Sequence, residues 1–422
     1  MQNRNRDKST TVTRPRQEQG ILSAGLQPVR SSNYLAALNQ AWQAHLTPRE
    51  PGAPTVISTF AGAGGSSLGY SIAGYRELLA IEIDVKAVET FERNLPGVPV
   101  YCGDIRGLAV EQALDITQLQ PGELDVLDGS PPCQGFSMAG RRQLDDERNR
   151  LFVEYVRLLR GLRPKAFVME NVAGMVRGKM KLVFVEIMRE LRASGYIVSA
   201  RLMNTMYFGV PQSRERMIFV GVREDLVREG LATPPSHPKA QNRPLTFADA
   251  CWDLRGNRPG DRMLSAVLLE CAKYQPDTWS TDRRIYRHFK GNTASAMSLN
   301  WAGWRRVCGT ITRSEISLSG IVHPDRERYI SLAEARRLAS FPDQVEFTDR
   351  ESGIAQIGNS VPPLFMAAIA SHIRQDILRD APSVPDDNKS MESKSLLDMR
   401  DSGVAGDVGE TNEQGDQQTR PA

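Results

Sequence analysis

The stretch TVISTFAGAGG (residues 55–65) decides how this chain folds: a β-branched, apolar run stops abruptly in glycines. Valine, isoleucine and threonine favour a buried strand, and the glycines let backbone approach a ligand closely. A helical pattern follows at once (66–73), so its first N–H groups stand free beside the loop. Outward from this unit, further apolar runs read as buried strands at 78–82 (LLAIE), 98–101, 124–128 (LDVLD), 166–170 (AFVME), 197–202 and 217–222 (MIFVGV). Candidate helices lie between them at 85–94, with Asp84 as N-cap, at 149–162 and at 179–194. Alternation at this spacing predicts a doubly wound α/β sheet, whose ligands bind beyond the carboxyl ends of the strands.

The alternation breaks near residue 224. Residues 224–327 hold proline and glycine clusters, no clear period and an excess of arginine. Helical patterns return at 332–340 and at 364–378, the latter just after Pro362-Pro363, as suits a first helical turn. Residues 1–50 are polar and are expected to form a mostly disordered extension, with one short amphipathic helix at Tyr34–His45. From Ala381 onward nine acids face four bases, which predicts a disordered acidic tail at 381–422. The whole chain carries +3, so the rest of it carries about +8, a balance that suits a polyanionic partner. No apolar stretch approaches the roughly 18–20 residues needed to span a bilayer, and the first residues lack a signal-peptide core, so a cytoplasmic protein without a membrane partner is expected. Five scattered cysteines and five histidines show neither disulfide nor metal-ligand spacing.

Four strand ends carry residues suited to a ligand or to chemistry. Glu82, 17 residues after Gly65, is placed to accept from both hydroxyls of a ribose. The loop is not G-x-G-x-x-G and nothing marks a pyrophosphate site, so adenosine without a diphosphate fits better. Asp104, in GDI (103–105), is either an acceptor for an adenine amino group or a turn residue. The strand at 124–128 runs into GSPPCQGFS (129–137), where two prolines fix Cys133 in a loop, a setting for an exposed, chemically used thiol. Cys102, Cys251, Cys271 and Cys308 lack such a setting and read as structural. The next strand ends in Glu170-Asn171-Val172, and parallel pairing would bring that carboxyl near the thiol. QSRER (212–216) precedes the last strand, and its alternating arginines would project to one side if extended.

In order, FAGAGG (60–65), EID (82–84), GDI (103–105), SPPCQGFS (130–137), ENV (170–172) and QSRER (212–216) resemble the DNA cytosine-5 methyltransferase family. ISLAEARRLASFP (330–342) and QIGNSVPP (356–363) are similar to its closing segments, so the resemblance spans about 55–378. It implies a Rossmann-like methyltransferase sheet formed by 51–223 and 328–380, with a second, smaller target-recognition domain at 224–327. It also implies S-adenosylmethionine as methyl donor. Phe60, Gly62, Gly64 and Gly65 would line that site, with Glu82 on the ribose, Ile83, Asp104 and Ile105 at the adenine, and Asn359 and Ser360 closing it. Cys133 would be the nucleophile, Glu170 would engage ring nitrogen N3, and Arg216 would donate to O2. The chain departs from the family at Ser58, where an acid is common.

Carbon 5 of cytosine is a poor nucleophile until a thiolate adds at carbon 6, which makes covalent catalysis the natural route. The target atom is unreachable inside a duplex, so the base must be flipped out. Within 279–313, Arg283, Arg284, Arg287, Lys290, Arg305, Arg306 and Arg313 stand among Trp279, Tyr286, Phe289, Trp301 and Trp304, a composition suited to double-stranded DNA. Some of those aromatics must also hold the small domain together. A basic recognition segment of this length favours DNA over the RNA substrates of a related enzyme, and intact Cys133 and Glu170 speak against a catalytically silent DNA-binding regulator. The resemblance further suggests a monomer that serves a restriction-modification system beside an endonuclease it need not touch.

Overall fold

The computed structural model describes residues 31–132, 147–176, 181–240, 243–256, 260–280, 285, 288, 299–313 and 320–379. The chain begins with α1 (Ser31–Leu46), β1 (Thr55–Thr59), α2 (Gly65–Ile72), β2 (Arg76–Glu82), α3 (Val85–Asn94), β3 (Val100–Cys102), α4 (Val110–Thr117) and β4 (Val126–Gly129). It continues through α5 (Glu147–Leu162), β5 (Ala166–Val172), α6 (Lys181–Ala193), β6 (Tyr196–Asn204), β7 (Glu215–Arg223), α7 (Glu224–Arg228), α8 (Phe247–Cys251) and α9 (Ala266–Tyr274). Short strands β8 (Asn300–Trp301) and β9 (Ile321–Val322) precede α10 (Leu332–Leu338), α11 (Arg350–Asn359) and α12 (Pro363–His372).

Seven strands form one sheet in the order β3-β2-β1-β4-β5-β7-β6. The first five are parallel; β7 runs antiparallel to both β5 and β6. Every residue of β1 and β4 is buried, as the uninterrupted apolar runs require of central strands. Asp84 caps α3 by accepting from the Lys86 and Ala87 N–H groups, so the aspartate read from the sequence does start that helix. Helices α4, α5 and α6 supply Ala113, Tyr155, Leu159, Ile187 and Leu191 to one face of the sheet. The other face is covered by Tyr70 of α2 and by Phe365, Met366, Ile369 and Ala370 of α12. Gly69 makes that second layer possible: a Cβ there would stand 2.6 Å from the Met366 Cβ and 2.7 Å from the Pro363 oxygen. The stretch Arg350–Ile377 is long and apolar enough in composition to cross a membrane, but two thirds of its most apolar 18 residues are buried in the protein.

Two parts of the chain differ from the sequence reading. The amphipathic helix expected at Tyr34–His45 is present and longer, Ser31–Leu46, and it docks on the rest of the chain, which the sequence did not show. Tyr34, Leu38 and Ala41 are buried, the first two in a core shared with α2, α8, α10 and α11. The Tyr34 hydroxyl donates to the Arg337 oxygen at 2.6 Å, and the His45 ring bonds the Ser71 hydroxyl and the Asn94 oxygen. These partners come from distant segments, so local composition carries no sign of them. Residues 224–237, read as the start of the recognition segment, run back over the sheet. Ala232 is buried beside α12, the Thr233 N–H donates to the Ile377 oxygen, and His237 bonds the Ile218 oxygen. The later part of that segment has its own small core of Leu264, Leu268, Ala272, Leu299, Trp301, Val322 and Tyr329.

Candidate active site

The carboxyl ends of five adjacent parallel strands converge on one edge of the sheet. On the β3-β2-β1 side, the glycine loop leaves β1 through three residues with positive φ: Phe60 (56°), Gly62 (55°) and Gly64 (85°). For Phe60 this is a strained conformation, of the kind stored at ligand sites. Glu82 anchors the loop: one carboxylate oxygen accepts the Gly62 N–H at 2.8 Å, and the other accepts from Ile83 and Asp84. Ile83 is 63 % exposed beside it, while Ile105 is buried. Asp104 accepts from the Arg106 backbone and guanidinium, which hold its carboxyl below the ordinary carboxylate range. The turn role weighed for Asp104 is therefore present. Ser360 lies against the loop, since a Cβ on Gly65 would stand 2.9 Å from the Ser360 Cβ and 2.5 Å from the Val361 oxygen.

Two buried carboxyls support this loop from behind, and motif reading missed both. Glu77 accepts from the Ser67 hydroxyl at 2.9 Å, and Ser67 reaches the Ser58 hydroxyl at 3.4 Å. An acid thus stands beside Ser58 after all, supplied by β2. The Tyr70 hydroxyl donates to Asp128 at 3.4 Å. Burial pushes Glu77 up to about 8 and Asp128 up to about 7.

On the β4-β5-β7 side, Glu170 and Arg216 form an ion pair at 2.6 Å, with both side chains largely buried. The antiparallel ladder places it by setting Arg216 opposite Val172 and Ile218 opposite Glu170. Asn171, between them in the ENV motif, donates to the Pro131 oxygen at 3.0 Å and so holds the start of the proline loop against β5. Cys133 itself, two residues further on, lies outside the described residues.

Gln212 and Arg214 tie this side to the rest of the chain. Gln212 donates to the Leu338 oxygen and accepts from the Ile311 N–H. Arg214, 2 % exposed, donates to the oxygens of Ile311 and Gly358. Burial, with Arg216 close by, pulls its guanidinium down to about 9, still charged at neutral pH. Gly358 is needed for this approach, since a Cβ there would stand 2.5 Å from the Arg313 nitrogen. The one-sided projection of alternating arginines was the available signal for Arg214, but not for its partners. Between Ala173, the start of β7, Trp279 and residues 307–310 opens a cavity of about 550 Å³ whose lining includes Arg216, Ser213, Trp279 and Thr310.

Of the basic residues expected at DNA, Arg283, Arg284, Arg287 and Lys290 lie outside the described residues, as do Tyr286 and Phe289. Arg305 and Arg313 are exposed. Arg306 is engaged within the segment: it donates to the Trp301 oxygen and pairs with Asp277 at 2.8 Å. Trp301 is buried, and Trp304 packs edge-on against Phe247, Trp252 and His323, so these two aromatics hold the segment together. Cys251, Cys271 and Cys308 are buried; Cys102 is exposed at the end of β3.

Strand order, the antiparallel seventh strand and a glycine loop after the first define the Rossmann-like methyltransferase fold. The methyltransferase EhMeth of Entamoeba histolytica shares it, with a TM-score of 0.56 at 16% identity over 76% of this chain and 97% of that one. Residues 54–375 match the family described as C-5 cytosine-specific DNA methylase. The type II methyltransferase M.XorII of Xanthomonas oryzae pv. oryzae is 30% identical over 388 residues, covering 82% of this chain and 90% of that protein. M.DdeI of Desulfomicrobium norvegicum, also a type II methyltransferase, is 31% identical over 378 residues, 75% of this chain and 88% of that protein. The chain belongs to the C-5 cytosine-specific DNA methylase family and is a DNA (cytosine-5-)-methyltransferase. The family's methyl donor is S-adenosylmethionine, and the glycine loop fits it. A Cβ on Gly62 would meet nothing within 4 Å, Ile83 offers an exposed apolar wall, and Glu82 faces the loop from the next strand.

Proposed function

We propose that this enzyme methylates carbon 5 of a cytosine flipped out of a specific duplex sequence, through a covalent adduct between Cys133 and carbon 6. The observation that carries this reading is the Glu170–Arg216 pair, set one strand from the proline loop that Asn171 holds. The Cys133 thiolate adds to carbon 6, and the ring electrons move toward N3 and O2. Glu170 protonates or hydrogen-bonds N3, and Arg216 donates to O2, so the charge pushed onto the ring is met by fixed groups. Carbon 5 then takes a methyl group, which S-adenosylmethionine supplies when bound. Water takes the carbon 5 proton, and the electrons of that C–H bond restore the ring as the C6–S bond breaks and the thiolate leaves. Phe60, Gly62, Gly64, Gly65 and Glu82 would hold the donor, with Asp104 and Ile105 at its adenine and Asn359 and Ser360 closing the site.

Recognition falls to the later part of 224–327, where Arg305 and Arg313 are exposed. The relatives' type II names suggest service beside a restriction endonuclease, with the enzyme acting as a monomer. Bisulfite sequencing of DNA from a methylation-free host expressing the chain tests activity, base and site together. Cys133→Ala should remove all conversion protection, and a 5-fluorocytosine duplex should trap the wild type covalently. Methyl transfer to RNA alone, or turnover by the alanine variant, would overturn the reading.

A further inference from the structure

The cavity beside the Glu170–Arg216 pair has one wall that the reaction as written does not use. Trp279 is half-buried there, and no acceptor among the described residues takes its indole N–H. Its backbone is firmly placed: the Trp279 oxygen accepts the Trp301 N–H at 2.7 Å, and the next residue bridges to Asn300. Gln275 and Thr278 both donate to the Ser280 oxygen, fixing the turn on which the indole stands. The ring itself lies on the bare backbone of Gly309, where a Cβ would come within 2.2 Å of it. Trp301 is buried, and Trp304 is held edge-on by Phe247, Trp252 and His323 with its N–H on Asp325. Trp279, by contrast, packs on one side against the same core as Trp304 and keeps part of its surface toward the cavity that Arg216 also lines.

We propose that Trp279 is the stacking surface for the pyrimidine held outside the duplex, an inference that rests on the base-flipping reading above. A rigid indole loses little side-chain freedom when a base settles on it, and every base has a π-face to offer. The residue binds the base and holds it at the catalytic pair; it takes no part in proton or methyl transfer. Gly309 belongs to the same device, because any larger residue would displace the ring.

The test uses the full chain with S-adenosylhomocysteine and two duplexes built on the recognition site, one with the target cytosine and one with an abasic residue in its place. Trp279→Leu keeps apolar bulk but removes the π-face. It should bind the intact duplex about 10- to 100-fold more weakly than wild type, the range of base–aromatic stacking. The abasic duplex has nothing to stack, so the same variant should bind it within about twofold of wild type. Trp279→Phe should recover most of the loss, and Gly309→Ala should reproduce it with the indole still present. Equal weakening on both duplexes would make Trp279 a packing residue, and unchanged binding of the intact duplex would place the base elsewhere; both outcomes overturn the proposal. A wild type that leaves duplex cytosines unmodified would instead sink the functional reading, and this inference with it.

Discussion

The two halves of the site are built in opposite ways. On the cofactor side, Glu82 holds Gly62 from only 20 residues away, and the rest of its bonds go to its immediate neighbours. On the catalytic side, Arg214 reaches Ile311 and Gly358 across 97 and 144 residues, and Gln212 reaches Leu338 across 126. Damage to the first half should therefore stay local, as a loss of affinity for one ligand. Damage to the second should spread, because the same side chains tie β7 to the segments around Ile311, Leu338 and Gly358.

The largest effect should follow from Glu170→Gln, which keeps the shape but removes both the proton and the charge facing Arg216. We expect kcat to fall by about 10²–10⁴, the usual worth of a positioned acid or base, with the affinity for S-adenosylmethionine unchanged. Single-turnover methyl transfer measures it, and a fall under threefold would remove Glu170 from the chemistry. Arg214→Met comes next and tests the spread. It strands two buried carbonyl oxygens while relieving a buried charge, for a net loss of roughly 2–4 kcal/mol in urea unfolding. Catalysis and DNA affinity should fall together; a stable variant impaired in only one of them would break the contrast between the halves.

Glu82→Ala tests the local half. Binding of S-adenosylmethionine should weaken by about 1.5–3 kcal/mol in calorimetry, the range for hydrogen bonds to a charged group, with DNA affinity untouched. An unchanged dissociation constant would move the ribose site elsewhere.

Smallest is the effect of pH on the carboxyls behind the loop. Burial raises Glu77 from 4.5 to about 8 and Asp128 from 3.8 to about 7, so the folded state holds protons that the unfolded chain has released. Their contribution to stability is complete below about pH 4 and is lost as pH rises toward 7 and 8. Glu77→Gln and Asp128→Asn should flatten that part of the melting-temperature profile and leave the protein no less stable at pH 8. A profile of unchanged slope would place the proton binding on other groups.

What the sequence made legible follows the same division. Each of the seven strands announced itself through its own apolar residues, and α3 through its cap, because both signals lie within the element. Glu82 could be read from spacing along one strand–helix–strand unit. Asn171 appeared in a motif without its task, since its acceptor, the Pro131 oxygen, is 40 residues away. Helix α1 is legible only as a short helix within a disordered extension because Tyr34 and Leu38 find their partners mostly on helices that lie far along the chain. Arg306 looked like a DNA contact by composition, whereas the acid and carbonyl that engage it become neighbours only through folding.

The packing of α12 onto α2 through Gly69 also sets a timetable for the chain on the ribosome. Gly69 and the helix that covers it, Pro363–His372, are separated by nearly the whole sheet domain. At about 5–20 residues per second, the earlier helix waits on the order of 15–60 seconds after its own synthesis before that covering exists. Through this interval Tyr70 and the second face of β1 lack the layer that buries them, a window in which a chaperone or a faster rate of translation would improve the yield of native enzyme.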